Sequence, residues 1–309
     1  MNMLHADLVR SALKRELLQS QPELLLVQGD TSSALGGALA ARELGIALAH
    51  VEAGLRTYDP TKPWPEEENR ATIDRLADLL FAPTSANAAN LRREDVPGAV
   101  HITGNSGIDA LASLVGPLPL PPRRRWWPKR HFRLLVTCHR RENWGAKLAG
   151  LAGALIHLGK RNVRSLIVLP PNPTVTDRLT SLCGGRAGIT LVPPLSHSTI
   201  VEAMREADLV LSDSGGMQEE APALGVPLLV LREKTERPEA IASGSCRLVG
   251  LDAAHIVETV EMLRSERGEL KAMRRPAMPF GDGQSALRIA RHSLVFLANR
   301  ALLAESRRA

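Results

Sequence analysis

Residues 24–51 read LLLVQGDTSSALGGALAARELGIALAHV. The stretch opens on a continuous apolar run, 24–28, passes a polar turn at Gly29-Asp30-Thr31, continues through a helix-length pattern over 32–43 and ends on a second apolar run, 46–51. Uninterrupted apolar runs are the mark of strands buried on both faces, and strand–helix–strand order implies parallel pairing through a right-handed crossover. Working outward, further strands are predicted at 79–82, 100–103, 133–137, 165–169, 189–192, 209–212, 228–231 and 247–250. Helix patterns lie between them, for example at 198–206, 217–224 and 253–267. The alternation predicts an α/β protein of Rossmann-like, doubly wound parallel sheets. The segment 116–130, GPLPLPPRRRWWPKR, holds five prolines and reads as a stiff linker between two α/β units. Residues 1–20 show an amphipathic helix pattern, and 285–308 form one long helical pattern.

The 309 residues suit two domains at about 100–200 residues each. No apolar run approaches the roughly 20 residues of a membrane helix. Residues 1–20 lack the apolar centre and small-residue cleavage site of a signal peptide, so a cytoplasmic protein without membrane contact is expected. Cys138, Cys183 and Cys246 are widely spaced and odd in number, which argues against a disulfide framework; no metal-ligand spacing is present. Net charge is +6, from 39 basic and 33 acidic residues, a modest excess that favours an anionic small molecule or nonspecific polyanion contact. Only nine residues are Phe, Trp or Tyr, too few to supply stacking platforms, so nucleic acid is not an expected partner.

Ligands of open α/β sheets bind beyond the carboxyl ends of strands, and polar residues gather at those positions here. Asp30 follows the first strand, Glu52 the second, and Glu66 and Glu67 open a helix after Pro65. His139 follows the strand at 133–137, flanked by Arg140 and Arg141. Carboxylates and a histidine can divide acid and base roles when their surroundings separate their pKa values. An N-cap reading of Asp30, a helix-dipole reading of Glu66 and a solvated-loop reading of His139 stay open on the local pattern. Asp213-Ser214-Gly215-Gly216 precedes a helix. The two glycines and the free N–H groups of the first turn suit a phosphate, although an ordinary cap by Asp213 or Ser214 fits equally well. His50 and His197 read as structural.

The blocks VQGDTSS (27–33), HVEAGLRTYDPTKPWPEEENR (50–70), APTSANAANL (82–91), ITGNSGIDAL (102–111), VTCHRRENWG (136–145), SDSGGMQEEAPALGVPLLVLREKTERPEA (212–240) and PFGDGQSALRI (279–289) stand in one order. Together they resemble the non-hydrolysing UDP-N-acetylglucosamine 2-epimerase family, over residues 24–289. The resemblance implies a GT-B-like fold with an N-terminal domain over 1–118, a UDP-binding domain over 119–284, and a helix over 285–309 that packs back on the first domain. The implied site lies in the cleft between domains. The implied activity is interconversion of UDP-GlcNAc and UDP-ManNAc by a homodimer without cofactor or metal. UDP is eliminated to give 2-acetamidoglucal and then re-added.

By motif, Asp30, Glu52, Glu66 and His139 fall at the family's catalytic positions. His139, Ser214, Gly215 and Gly216 would hold the diphosphate, Glu220 the ribose, and Arg237 belongs to the nucleotide site. The stretch with Arg56, Pro65, Glu66 and Glu67 resembles the segment by which bacterial members bind a second UDP-GlcNAc as activator. Three residues depart from the pattern: Cys138 stands for a glycine in TGHRREN, and Leu195 and Ile200 for Gln and Phe near the uracil. The family's opening strand and FGTRPE loop find no match, so a shortened N-terminal domain lacking roughly the first 65–70 residues of the pattern is expected. A hydrolysing relative that releases ManNAc, an impaired UDP-sugar-binding remnant and a GT-B glycosyltransferase are the competing readings.

Overall fold

In the computed structural model, residues 2–115 and 131–306 are described. The proline-rich segment 116–130, the expected boundary at 118/119 and the last arginines, Arg307 and Arg308, lie outside them. The strands are β1 Leu24–Gln28, β2 Ala47–Val51, β3 Leu79–Ala82, β4 Ala99–Ile102, β5 Phe132–Thr137, β6 Val163–Val168, β7 Ile189–Val192, β8 Leu209–Ser212, β9 Leu228–Val230 and β10 Cys246–Leu248. The helices of the first part are α1 Asn2–Ser20, α2 Ser32–Glu43, α3 Glu66–Leu76, α4 Ser85–Arg93 and α5 Ser106–Val115. Those that follow are α6 Ala146–Gly159, α7 Pro173–Cys183, α8 His197–Glu206, α9 Gly215–Leu224, α10 Pro238–Ala242, α11 Ala253–Ser265, α12 Arg267–Met273 and α13 Ser285–Ser306. Two compact units result: residues 1–110 with 280–309, and residues 111–279.

The first unit holds a parallel sheet in the order β1-β2-β3-β4. Strand alternation sends Val27, Leu48, Leu80 and Ala82 to one face, where they pack with Leu35 and Ala38 of α2, Ile73 of α3 and Leu91 of α4. Ala49, Val51, Leu79 and Phe81 point the other way and meet Ile289 and Phe296 of α13. The C-terminal helix therefore covers a sheet face of the unit in which the chain begins. Thr31 starts α2: its Oγ1 accepts from the Ala34 amide at 3.1 Å. In α1, Ala6 and Leu17 are buried while Leu4, Leu8 and Leu18 are exposed, so its leucines are not gathered on one buried face.

The second unit holds a parallel sheet in the order β10-β9-β8-β5-β6-β7. Its first strand, β5, is central. The chain winds outward through β6 and β7, then returns to place β8, β9 and β10 on the other side. This reversal makes a topological switch point between β5 and β8. Leu134, Val136, Ile167, Leu211 and Leu229 form the core with α6, α7 and α11. The expected helix over 253–267 divides into α11 and α12 because Glu266 leaves helical dihedrals, at φ −91° and ψ 77°. No helix among the described residues is long and apolar enough to cross a membrane.

Candidate functional site

The switch point of the second unit carries the most organised polar cluster. Thr137 and Ser212 end β5 and β8 in register, and their hydroxyls lie 2.6 Å apart. The next residue after Ser212, Asp213, is fully buried. Its carboxylate accepts from the amides of His139 and Arg140 at 3.0 and 2.9 Å and from Asn143 Nδ2 at 2.9 Å. His139 Nδ1 lies 3.1 Å away. Burial pushes the Asp213 pKa up, but the His139 hydrogen bond and charge, with the Arg140 and Asn143 donors, outweigh it and hold the carboxyl at about 2. Asp213 is thus an ionised post around which the loop after β5 is wrapped, not a helix cap.

Ser214 takes the cap instead, accepting from the Met217 amide. The earlier amides of the first turn of α9 remain to face an anion. Gly215 is required there: a Cβ would lie 2.7 Å from Arg237 Nη1 and 3.0 Å from its Cζ. A Cβ at Gly216 would meet nothing closer than Ser214 Oγ at 3.9 Å, so space alone does not demand that glycine. Arg237 is buried, donating from Nε to Glu219 at 2.6 Å and pairing through Nη1 with Glu236. Glu236 also pairs with buried Arg232 at 3.0 Å. Arg237 therefore braces the start of α9 from within the protein.

A cleft of about 400 Å³ opens beside this cluster, lined by Thr137, Cys138, His139, residues 168–172, Pro194, Leu195, Ser214 and Met217. His139 is half-exposed at its edge. Its wall is apolar at Leu169, Pro170, Pro194 and Leu195 and polar at Thr137, His139, Asn172 and Ser214. That division suits a ligand with a flat apolar part and an anionic part. Cys138 is buried. Burial and the neighbouring Asp213 charge push its thiol well above the ordinary range, so it stays protonated. Glu220 lies further along α9 with its carboxylate largely buried; burial raises its pKa, and His197 Nε2 approaches its Oε1 at 2.7 Å.

The first unit holds the remaining expected residues. Gly29, at φ +69°, follows β1, and a Cβ there would lie 3.6 Å from Glu52 Oε2. The Glu52 carboxylate thus sits against the turn that carries Asp30. Glu52 itself adopts a left-handed conformation, φ +72°, which costs about 1–3 kcal/mol for a side-chain-bearing residue. Its amide and that of Ala53 both donate to Phe81 O at 3.1 Å, which holds the bend. Asp30 pairs with buried Arg70, and its carbonyl accepts from Asn69 Nδ2 at 2.8 Å. Glu66 begins α3 after Pro65.

Glu67 is buried and accepts from the amides of Thr57 and Tyr58, each at 2.9 Å, while Arg70 Nη1 lies 3.3 Å from its other oxygen. Burial raises its pKa, the Arg70 charge and those amides notwithstanding. Arg56 is buried as well, gripped by Glu94 at 2.8 and 2.7 Å and by Asp74 at 2.7 Å. Asp74 also meets His50 Nδ1 at 2.6 Å, and His50 Nε2 lies 2.9 Å from Gly29 O. Burial raises the Asp74 pKa, but His50 and Arg56 outweigh it, so the carboxyl is held below its ordinary value.

Arg70, Asp74, Asp213 as an anchor, Glu236 and the His197–Glu220 contact were not singled out from the sequence. All but His197 are charged residues within or next to quoted blocks, where carboxylates and arginines recur without a spacing that reveals who pairs with whom. Among the described residues, no group of three or more His, Cys, Asp or Glu is arranged to hold a metal ion.

The family model for UDP-N-acetylglucosamine 2-epimerase matches residues 5–293. The UDP-N-acetylglucosamine 2-epimerase of Salmonella typhimurium is 40% identical over 292 residues, covering 91% of this chain and 78% of its own. The crystal structure of UDP-GlcNAc 2-epimerase from Neisseria meningitidis bound to UDP-GlcNAc superposes with a TM-score of 0.89 at 35% identity, covering 94% of this chain and 81% of that one. The Methanocaldococcus jannaschii enzyme in complex with UDP-GlcNAc and UDP matches with a TM-score of 0.80 at 29% identity, covering 94% and 80%. These GT-B-like neighbours share the α/β architecture of parallel sheets, and the chain belongs to the UDP-N-acetylglucosamine 2-epimerase family.

Proposed function

We propose that this chain interconverts UDP-GlcNAc and UDP-ManNAc by eliminating UDP to 2-acetamidoglucal and re-adding it. The observation that carries the reading is the switch-point cluster, where buried Asp213 fixes the His139 loop beside the first turn of α9. Cation and N–H donors at that point stabilise a leaving diphosphate. His139, Ser214, Gly215 and Gly216 hold the diphosphate, and Glu220 accepts from the ribose. Arg237 acts by supporting Gly215 and the helix start. Leu195 and the prolines beside it offer an apolar surface to the uracil.

Asp30, Glu52 and Glu66 supply proton exchange at C2, and His139 completes the catalytic group. The placement of Glu52 against Gly29, in the turn that carries Asp30, supports grouping these two carboxylates. A carboxylate removes the C2 proton as UDP leaves from C1; the proton returns to the opposite face before or as UDP re-adds. The stretch from Arg56 to Glu67 takes a second UDP-GlcNAc as activator. Within it, Glu67 and Arg56 hold the loop from behind, since both are buried against partners of the same unit. The protein works as a cytoplasmic homodimer.

Incubation with UDP-GlcNAc and separation of the products tests this. UDP-ManNAc in equilibrium with substrate is expected. Free ManNAc with UDP would assign hydrolysis, and UDP binding without any product would assign a binding protein.

A further inference from the structure

We infer that His197 is a positioning residue for the nucleotide, fixing the Glu220 carboxylate so that it selects ribose over 2′-deoxyribose. The inference rests on the nucleotide-site reading above. His197 begins α8 two residues after Leu195, which lines the cleft, and Glu220 follows Met217 by one turn of α9, which lines it too. Their contact, 2.7 Å from Nε2 to Oε1, ties the wall of the cleft to the helix that carries the anion-binding turn. His197 is 43% exposed and Glu220 13% exposed, so the imidazole stands toward solvent and the carboxylate it pins is the more buried of the two.

A free glutamate has three rotatable bonds, and burial penalises the charge of this one. One oxygen pinned by an imidazole N–H fixes the carboxylate plane and favours the ionised form. The other oxygen, and the second lone pair of the first, are left to accept from adjacent hydroxyls. Two neighbouring hydroxyls of one sugar fit such an acceptor, whereas a 2′-deoxy sugar leaves part of it unmatched. His197 touches no reacting atom, and its effect falls on binding.

UDP and 2′-deoxy-UDP affinities are measured by calorimetry for the wild type, His197→Phe and His197→Gln, with KM and kcat for UDP-GlcNAc alongside. His197→Phe is expected to weaken UDP about ten-fold, the factor that one hydrogen bond to a charged group carries, and to weaken 2′-deoxy-UDP markedly less. KM should rise more than kcat falls, and His197→Gln, which keeps an N–H donor, should restore most of the difference. Wild-type affinity in His197→Phe, or an equal loss for both nucleotides, would overturn the inference. A wild-type chain that binds neither nucleotide would instead remove the nucleotide-site reading beneath it.

Discussion

Replacing Asp213 by asparagine removes one charge from the centre of the switch-point cluster and leaves its size unchanged. The Asp213 carboxyl titrates at about 2 in the folded chain against an ordinary 3.8, and each pKa unit corresponds to about 1.4 kcal/mol. The ionised group therefore contributes about 2 kcal/mol to folding at neutral pH. Its folded pKa is depressed, so this stability is present above about pH 4 and is lost as pH falls from there through about 2. The side-chain amide of the Asp213→Asn variant would also turn one N–H group toward a site already filled with donors from His139, Arg140 and Asn143. The expected destabilisation is about 2–3 kcal/mol at pH 7, with UDP binding weakened about ten-fold as the His139 loop loosens. Urea unfolding at several pH values measures it, followed by the combined fluorescence of the four tryptophans, among them Trp144, whose indole donates to His139 O. The gap between wild type and variant should persist at pH 5 and should narrow below pH 4. A gap under about 0.5 kcal/mol at pH 7, or one that closes already above pH 5, would refute the reasoning.

Three further outcomes follow from the same contacts. Asp30→Asn should lower kcat by at least about 100-fold while changing UDP affinity less than three-fold, checked by initial rates and calorimetry; near-normal turnover would remove Asp30 from the proton-transfer group. Gly215→Ala should force Arg237 off its place and cost about 1–3 kcal/mol in a thermal or urea melt, whereas Gly216→Ala should be close to neutral in stability. Cys138, Cys183 and Cys246 are all buried with raised thiol pKa values, Cys246 to about 12, so native protein at pH 8 should react with iodoacetamide far more slowly than urea-unfolded protein, read by mass spectrometry.

Much of the fold was legible because buried parallel strands announce themselves. The strands at 79–82 and 209–212 have the expected bounds and are buried throughout. Those at 24–28 and 189–192 have the expected bounds too, but lie at sheet edges and are only partly buried, with Leu26 and Thr190 exposed, against the burial on both faces expected of 24–28. The ends of β9 and β10 were less clear, since a three-residue strand is set by its neighbours more than by its own pattern. The order of strands is another matter: nothing local to LLVL or RLVG reveals that β8, β9 and β10 lie on the opposite side of β5 from β6 and β7. The site shows the same divide. The sequence places Asp30, Glu52 and His139 at strand ends, because such ends are marked by the change from apolar to polar residues. It does not reveal that Asp213 turns away from its own helix to the loop after β5, or that Arg70 reaches back 40 residues to Asp30. These pairings arise from the lateral packing of parallel strands, which brings together residues that no short window contains.

The most direct measurement is the reaction in D2O followed by proton NMR. Removal and return of the C2 proton predicts that UDP-ManNAc forms and that C2 of the sugar acquires deuterium, in both the product and the recovered UDP-GlcNAc. UDP-ManNAc formed with protium retained at C2, or UDP-GlcNAc left unchanged by the intact protein, would contradict the account.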